Sequence, residues 1–260
     1  MPEEVILESA GVTKRFGDFT AVYRLDYTLQ RGEAAGIIGP NGAGKSTFFN
    51  LLTGLFPPTE GKISYRGTDV TAKGAHQRAA LGLIRTFQLV SVFDSLPVLD
   101  NIAMPVLQSE PRYKAKMRFL LGDPYPAHVV ESCMQSLERV GIAEKLNLRT
   151  AELSYGDKRK LEIAMALSLN PTVLLLDEPF AGLSEVEISG VVELIDTIKS
   201  SLTLVIIEHK ISRILGLIER LSVMHEGRLI ADGVPDDVLC DETVRRVYWG
   251  DTTCRAEPAP

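Results

Sequence analysis

The chain has 260 residues, enough for a large α/β domain with a subdomain, and its formal net charge of −6 argues against nucleic acid as the partner of its surface. Cys133, Cys240 and Cys254 lack the paired spacing of a disulfide framework or a zinc site, so a reduced cytosol suits them. No apolar stretch approaches the roughly 20 residues that span a bilayer, and the opening residues lack a signal-peptide pattern, so membrane contact is expected only through another protein.

In chain order, Val5–Ala10 and Ala21–Leu29 read as strands, the second alternating at Val22, Leu25, Tyr27 and Leu29. Between them, Lys14–Phe19 reads as a loop carrying an aromatic ring, Phe16, which can stack on a base or pack on the core. The apolar run Ala34–Ile38 is a buried strand, and Thr47–Leu52 begins a helix. Between strand and helix stands Gly39-Pro40-Asn41-Gly42-Ala43-Gly44-Lys45-Ser46-Thr47, the phosphate-cradling pattern G-x-x-x-x-G-K-[ST]. Its glycines let backbone N–H groups converge on phosphate oxygens, and the helix N-terminus adds partial positive charge. Lys45 is placed to reach the β- and γ-phosphates of a nucleotide, and the Ser46 hydroxyl to coordinate Mg²⁺.

A breaker-rich turn at Gly54–Gly61 precedes a short strand at Lys62–Tyr65, a short helix at Ala75–Leu81 and a strand at Leu83–Gln88. From about residue 89 to 168 the rhythm becomes helical, at Val98–Leu107 and at Ala127–Val140, whose apolar face is Val129, Val130, Met134, Leu137 and Val140, while Pro97, Pro105, Pro111, Pro124 and Pro126 break the segment into pieces. This predicts a helical subdomain inserted into the α/β core. Arg112, Lys114, Lys116 and Arg118 within it read as a solvated face. Lys158–Leu169 is strongly helical, and Val173–Leu176 is a buried strand ending in Asp177-Glu178. An acid at that strand end can hold Mg²⁺, and the next can polarise a water for attack on a γ-phosphate. Helices are expected at Glu185–Ser200 and Ile211–Ile218, and strands at Thr203–His209, Arg220–His225 and Arg228–Ala231. A terminal helical region follows from Val234 to Gly250, and 251–260 reads as a flexible tail.

What separates this chain from other phosphate-loop enzymes is Leu153-Ser154-Tyr155-Gly156-Asp157 at a helix start. With the loop and the Asp-Glu strand end, it resembles the ATP-binding-cassette (ABC) ATPases over nearly all of residues 1–250 as a single domain. The resemblance implies a phosphate-loop NTPase core with an antiparallel β subdomain and the inserted helical subdomain. It identifies Leu153–Asp157 with the signature usually written L-S-G-G-Q, which binds the γ-phosphate of ATP held by the opposite subunit. Ser154, Gly156 and the helix N-terminus would do so here; Tyr155 and Asp157 depart from the consensus, with Asp157 standing where Gln is usual. The resemblance further implies ATP and Mg²⁺ as ligands. Phe16 stacks on adenine, and Gly39, Asn41, Gly42, Ala43, Gly44, Lys45, Ser46 and Thr47 bind phosphate. Ser46, Gln88 and Asp177 hold the metal, while Glu178, His209, Gln88 and Lys45 act in catalysis. Ala181–Ser184 matches the D-loop, with Ser184 where Asp is common, and Lys210 follows the switch histidine where Asp is frequent.

Ile84–Gln88, Leu153–Gly156, Asp177–Leu183 and the ending Val247–Gly250 are similar to ATPases of bacterial branched-chain amino acid importers. Relatives serving urea, other amides or lipopolysaccharide export share much of this text. The implied partners are a second ATPase subunit, identical or paralogous, two integral membrane permease subunits and, in an importer, a substrate-binding protein. The implied place is the cytoplasmic face of the bacterial inner membrane. A soluble ATPase acting on DNA or ribosomes is the rival, and this chain has neither the second cassette nor the basic extensions usual there. Leu89–Pro97 is apolar where a surface loop should run. Either it receives the permease, with Phe93 as anchor, or Val90, Val92 and Phe93 seal the insertion's own core.

Overall fold

A computed structural model describes residues 4–86, 91–109 and 125–249. The strands in chain order are β1 (Val5–Phe16), β2 (Phe19–Gln30), β3 (Ala34–Ile38), β4 (Glu60–Tyr65), β5 (Thr68–Asp69), β6 (Leu83–Arg85), β7 (Val173–Asp177), β8 (Thr203–Ile207), β9 (Arg220–His225) and β10 (Arg228–Gly233). The helices are α1 (Lys45–Thr53), α2 (Ala75–Ala80), α3 (Val98–Ser109), α4 (Ala127–Val140), α5 (Tyr155–Leu167), α6 (Glu185–Lys199), α7 (Pro235–Cys240) and α8 (Glu242–Trp249). They divide into two compact units, Met1–Ala75 with Thr203–Pro260, and His76–Leu202.

In the first unit, β2-β1-β4-β5 form an antiparallel sheet, and β10-β9-β3-β8 lie in a second sheet in which β3 pairs parallel with both neighbours. The antiparallel β layer that the resemblance implies is therefore present. Every residue of β3 and β8 is buried, as their unbroken apolar runs predict for a parallel sheet covered on both faces. Phe48, Phe49, Leu51 and Leu52 of α1 are buried, with Phe48 edge-to-face on Tyr27 at 5.6 Å.

Two readings change here. Residues 14–19 are not a loop between short strands: β1 runs to Phe16, turns at Gly17-Asp18 and pairs Phe16 with Phe19. Residues 211–218 form only a single tight turn at Ile211–Arg213 followed by irregular chain. Gly216 weakens the helix, and Ile214, Leu217 and Ile218 turn inward instead. The Ile218 side chain fills the space a Cβ at Gly36 would take.

In the second unit, β6 and β7 pair parallel, and α3, α4 and α5 pack on one another. α3 continues through Pro105 to Ser109, because burial of Val98, Ile102, Ala103, Val106 and Leu107 outweighs the lost N–H. Each of these valine, isoleucine and leucine side chains contributes about 1.5–3 kcal/mol when fully buried. α4 buries Val129, Cys133, Ser136, Leu137 and Val140; Cys133 and Ser136 replace Val130 and Met134 at the centre of the expected stripe. The basic group at 112–118 and the tail at 251–260 lie outside the described residues.

Candidate functional site

In the first unit the phosphate loop leaves β3 and enters α1. Two of its glycines have no substitute. A Cβ at Gly39 would lie 2.3 Å from the Met224 carbonyl oxygen. Gly44 is the N-cap of α1 at φ 98°, and a Cβ there would meet the Ala21 carbonyl oxygen at 2.5 Å. The loop is held by Ala43 N–H donating to Pro40 and Gly227 N–H donating to Ala43, at 3.1 and 3.0 Å. The Lys45 side chain folds back over it, its Nζ donating to the Gly39 and Pro40 carbonyls at 2.6 and 3.1 Å. Ser46, Asn41 and Gly42 are exposed. No side chain caps α1 and no acid lies in its first turn, so its N-terminal N–H groups and partial positive charge carry no acid of their own.

His209 lies two residues past β8. Since β8 runs parallel to β3 with Ile207 opposite Ile37, the fold brings His209 and the phosphate loop to the same sheet edge. His209 is exposed, and its N–H donates to the carboxylate of buried Glu208 at 3.0 Å. Phe16 stands at the hairpin tip, 48% exposed, with one face edge-on to Phe56 at 5.6 Å and Lys14 Nζ 5.3 Å from its ring centre. The exposed ring is a flat apolar platform, free of the core packing that the alternative reading gave it.

In the second unit, β7 delivers Asp177 fully buried at its C-terminal end. Arg85, at the end of β6, donates to Asp177 Oδ2 at 2.6 Å, a contact across 92 residues that the sequence does not announce. Glu178 follows at φ 47°, a left-handed conformation that costs a non-glycine residue about 1–3 kcal/mol and concentrates at functional positions. Gln88 lies outside the described residues.

The same unit holds the Leu153–Asp157 turn. Ser154 is the N-cap of α5 in extended conformation, its Oγ accepting from Asp157 N–H at 3.1 Å and donating to Asp157 Oδ2 at 3.0 Å. Lys145 donates to that same carboxylate at 2.7 Å. Gly156 N–H donates to Glu187 Oε1 at 2.8 Å. Glu187 is also the third residue of a capping box on Ser184, which opens α6. Hydrogen bonds from the Ser184 N–H and hydroxyl, then from Gly156, hold the Glu187 carboxyl below the usual carboxylate range. The box S-x-x-E is legible in the sequence; the reach of Glu187 to another helix is not. Tyr155 packs against the backbone of Gly182, joining this turn to the D-loop.

Residues 22–181 match the family model described as "ABC transporter". This chain belongs to the ABC transporter family. It is 34% identical, over 95% of its length and 98% of theirs, to two such proteins, LivG of Salmonella typhimurium and BraF of Pseudomonas aeruginosa. Both carry the name "high-affinity branched-chain amino acid transport ATP-binding protein". A crystal structure of the ADP conformation of an ATP-binding cassette of an ABC transporter matches with a TM-score of 0.83 at 29% identity, covering 95% of this chain and 99% of that one. The chain is thus an ABC ATPase subunit, which binds and hydrolyses ATP to power transport. No helix among its described residues is long and apolar enough to cross a membrane.

Proposed function

We propose that this cassette powers the import of branched-chain amino acids or a related amino acid or amide. The observation that carries the reading is the 34% identity to LivG and BraF over 95% of the chain. In this reading the chain is one domain over residues 1–250 with the helical insert at about 89–168. It works at the cytoplasmic face of a bacterial inner membrane with a second ATPase subunit, two permease subunits and a substrate-binding protein.

The assignments within the site are these. Phe16 stacks on adenine. Gly39, Asn41, Gly42, Ala43, Gly44 and Thr47 surround the phosphates, and Lys45 turns from its loop carbonyls to the β- and γ-phosphates. Glu178 takes a proton from the attacking water, held at its strained backbone position beside a buried strand end. His209 contacts the γ-phosphate from the edge of β8. Ser154 and Gly156 serve the nucleotide of the opposite subunit.

The donor chemistry fits Mg²⁺. Among the described residues no cluster of three His, Cys, Asp or Glu side chains could hold a metal. Mg²⁺ bound with a nucleotide uses one or two carboxylates and phosphate oxygens rather than such a cage. Ser46, an exposed hydroxyl, and Asp177 supply hard oxygen ligands, with Gln88 as the third; a carboxylate has about four acceptor sites, so the Arg85 contact does not exhaust Asp177. Bound there, the ion would neutralise charge on the phosphate oxygens.

Phe93 supports the permease contact. It is 55% exposed, which removes it from the insertion's core. Fully buried Asn101 fixes its backbone, accepting from Phe93 N–H at 2.7 Å and donating to its carbonyl at 3.1 Å. Leu89 and Val90 lie outside the described residues.

The test is purification of the tagged full chain from its native membranes with its bound subunits, then reconstitution with candidate amino-acid-binding proteins from the same cells. ATP-dependent uptake of labelled leucine or valine is expected. Outward movement of a lipid, or ATP-dependent uptake of no amino acid and no amide, would overturn the import assignment.

A further inference from the structure

Both donors expected to grip a γ-phosphate at the N-terminus of α5 are engaged by this chain's own acids. The Ser154 hydroxyl donates to Asp157 Oδ2 at 3.0 Å, and the Gly156 N–H donates to Glu187 Oε1 at 2.8 Å. Glu187 comes from a different helix, 31 residues on, so an anion from elsewhere in the fold already sits on this helix end. The seat is shaped for it. A Cβ at Gly156 would lie 2.8 Å from Glu187 Cγ and 3.0 Å from its Cβ, while Gly156 needs no left-handed backbone. Glycine at 156 therefore serves the approach of Glu187 as well as that of any incoming phosphate. Asp157, standing where the family has Gln, is balanced by Lys145 at 2.7 Å.

We propose that Glu187, with Asp157, is an internal stand-in for the γ-phosphate that keeps the signature turn closed to weak anions until a nucleotide displaces it. The inference rests on the reading that Ser154 and Gly156 receive phosphate. Closure of two subunits on ATP then has to exchange one anion for another. The exchange sets the threshold for closure and frees the Glu187 side chain, which belongs to the capping box of the helix after the D-loop. Two events are coupled by one carboxylate: phosphate arrival at α5 and loosening of the first turn of α6.

The probe is inorganic phosphate titrated onto the full chain saturated with ADP and Mg²⁺, read at the backbone amide resonances of Ser154, Gly156 and Asp157. Wild type, Glu187→Gln, Asp157→Asn and Glu187→Gln/Ser154→Ala are compared, with thermal melts and distant resonances confirming the fold. Glu187→Gln should lower the half-saturating phosphate concentration at Gly156 at least fivefold, and Asp157→Asn should lower it less. Adding Ser154→Ala should cancel most of the gain. Equal midpoints in wild type and both single variants, with a lower melting temperature for Glu187→Gln, would make Glu187 a helix cap alone and overturn the inference. Absence of any phosphate response in all four chains would instead overturn the underlying reading of Ser154 and Gly156, and the inference with it.

Discussion

The molecule carries two helix ends suited to phosphate, and they are finished in opposite ways. α1 begins at a glycine in left-handed conformation, with no side-chain cap and no acid in its first turn. α5 begins at a serine that caps its own helix, with Asp157 in the first turn and Glu187 on the Gly156 amide. An end with no acid in its own first turn offers its N–H groups and partial charge to a phosphate that reaches it. An end already holding carboxylates answers only to an anion able to replace them. The first arrangement suits a site that holds nucleotide through the whole cycle. The second suits a site that must engage and release.

The sharpest way to break this comparison is at Glu178, the proposed general base, which lies at neither helix end. Glu178→Gln should lower turnover by about 10²–10⁴-fold, the usual worth of general-base assistance, while nucleotide binding to the isolated chain stays intact. Steady-state hydrolysis beside equilibrium ATP binding checks this, and near-normal turnover would remove Glu178 from the reaction. Next in size is a matched pair of glycine substitutions. Gly44→Ala places a side chain at φ 98° with a backbone oxygen 2.5 Å away, which should cost at least about 1–3 kcal/mol and several degrees of melting temperature. A Cβ at Gly156 finds its nearest neighbours in the Glu187 side chain rather than in backbone, so Gly156→Ala should melt closer to wild type while freeing the Glu187 carboxylate from the helix end. Equal losses would show that the two ends are built alike.

Phe93 lies at neither end and serves as the control. Because the ring is more than half exposed, Phe93→Ala should change stability by no more than about 0.5 kcal/mol while weakening assembly with the permease. A thermal melt and co-purification of the membrane subunits measure the two effects. The smallest effect is chemical. Burial pushes the Cys133 thiol up to about 11, whereas Cys240 is exposed. Above pH 8, Cys240 should react with a maleimide and Cys133 should not, unless α4 opens.

Much of this was legible in the sequence because it depends on short-range order. Ala34–Ile38, Val173–Leu176 and Thr203–Ile207 are apolar runs of strand length, and each is a buried parallel strand. The phosphate loop announces itself by spacing alone. The Phe16 hairpin was not legible, since Lys14-Arg15 and Gly17-Asp18 resemble a polar loop, and only pairing with Thr20 and Phe19 extends the strand. The stretch 211–218 has helical periodicity that gives way because its isoleucines and leucine have a sheet to cover. Arg85 on Asp177 and Glu187 on Gly156 join residues 92 and 31 apart, and no local pattern encodes such meetings. The capping box at Ser184 predicts where α6 starts; it says nothing of the second helix that Glu187 reaches.

The division of labour between the two helix ends is tested most directly by ATP binding to the isolated full chain, measured by calorimetry for wild type, Lys45→Ala and Ser154→Ala. Lys45→Ala should weaken binding at least tenfold, since the proposed function gives Lys45 the nucleotide of its own chain. Ser154→Ala should bind within twofold of wild type, since that proposal gives Ser154 the phosphate of another subunit. Loss of single-chain ATP binding in Ser154→Ala comparable to that in Lys45→Ala would contradict the account.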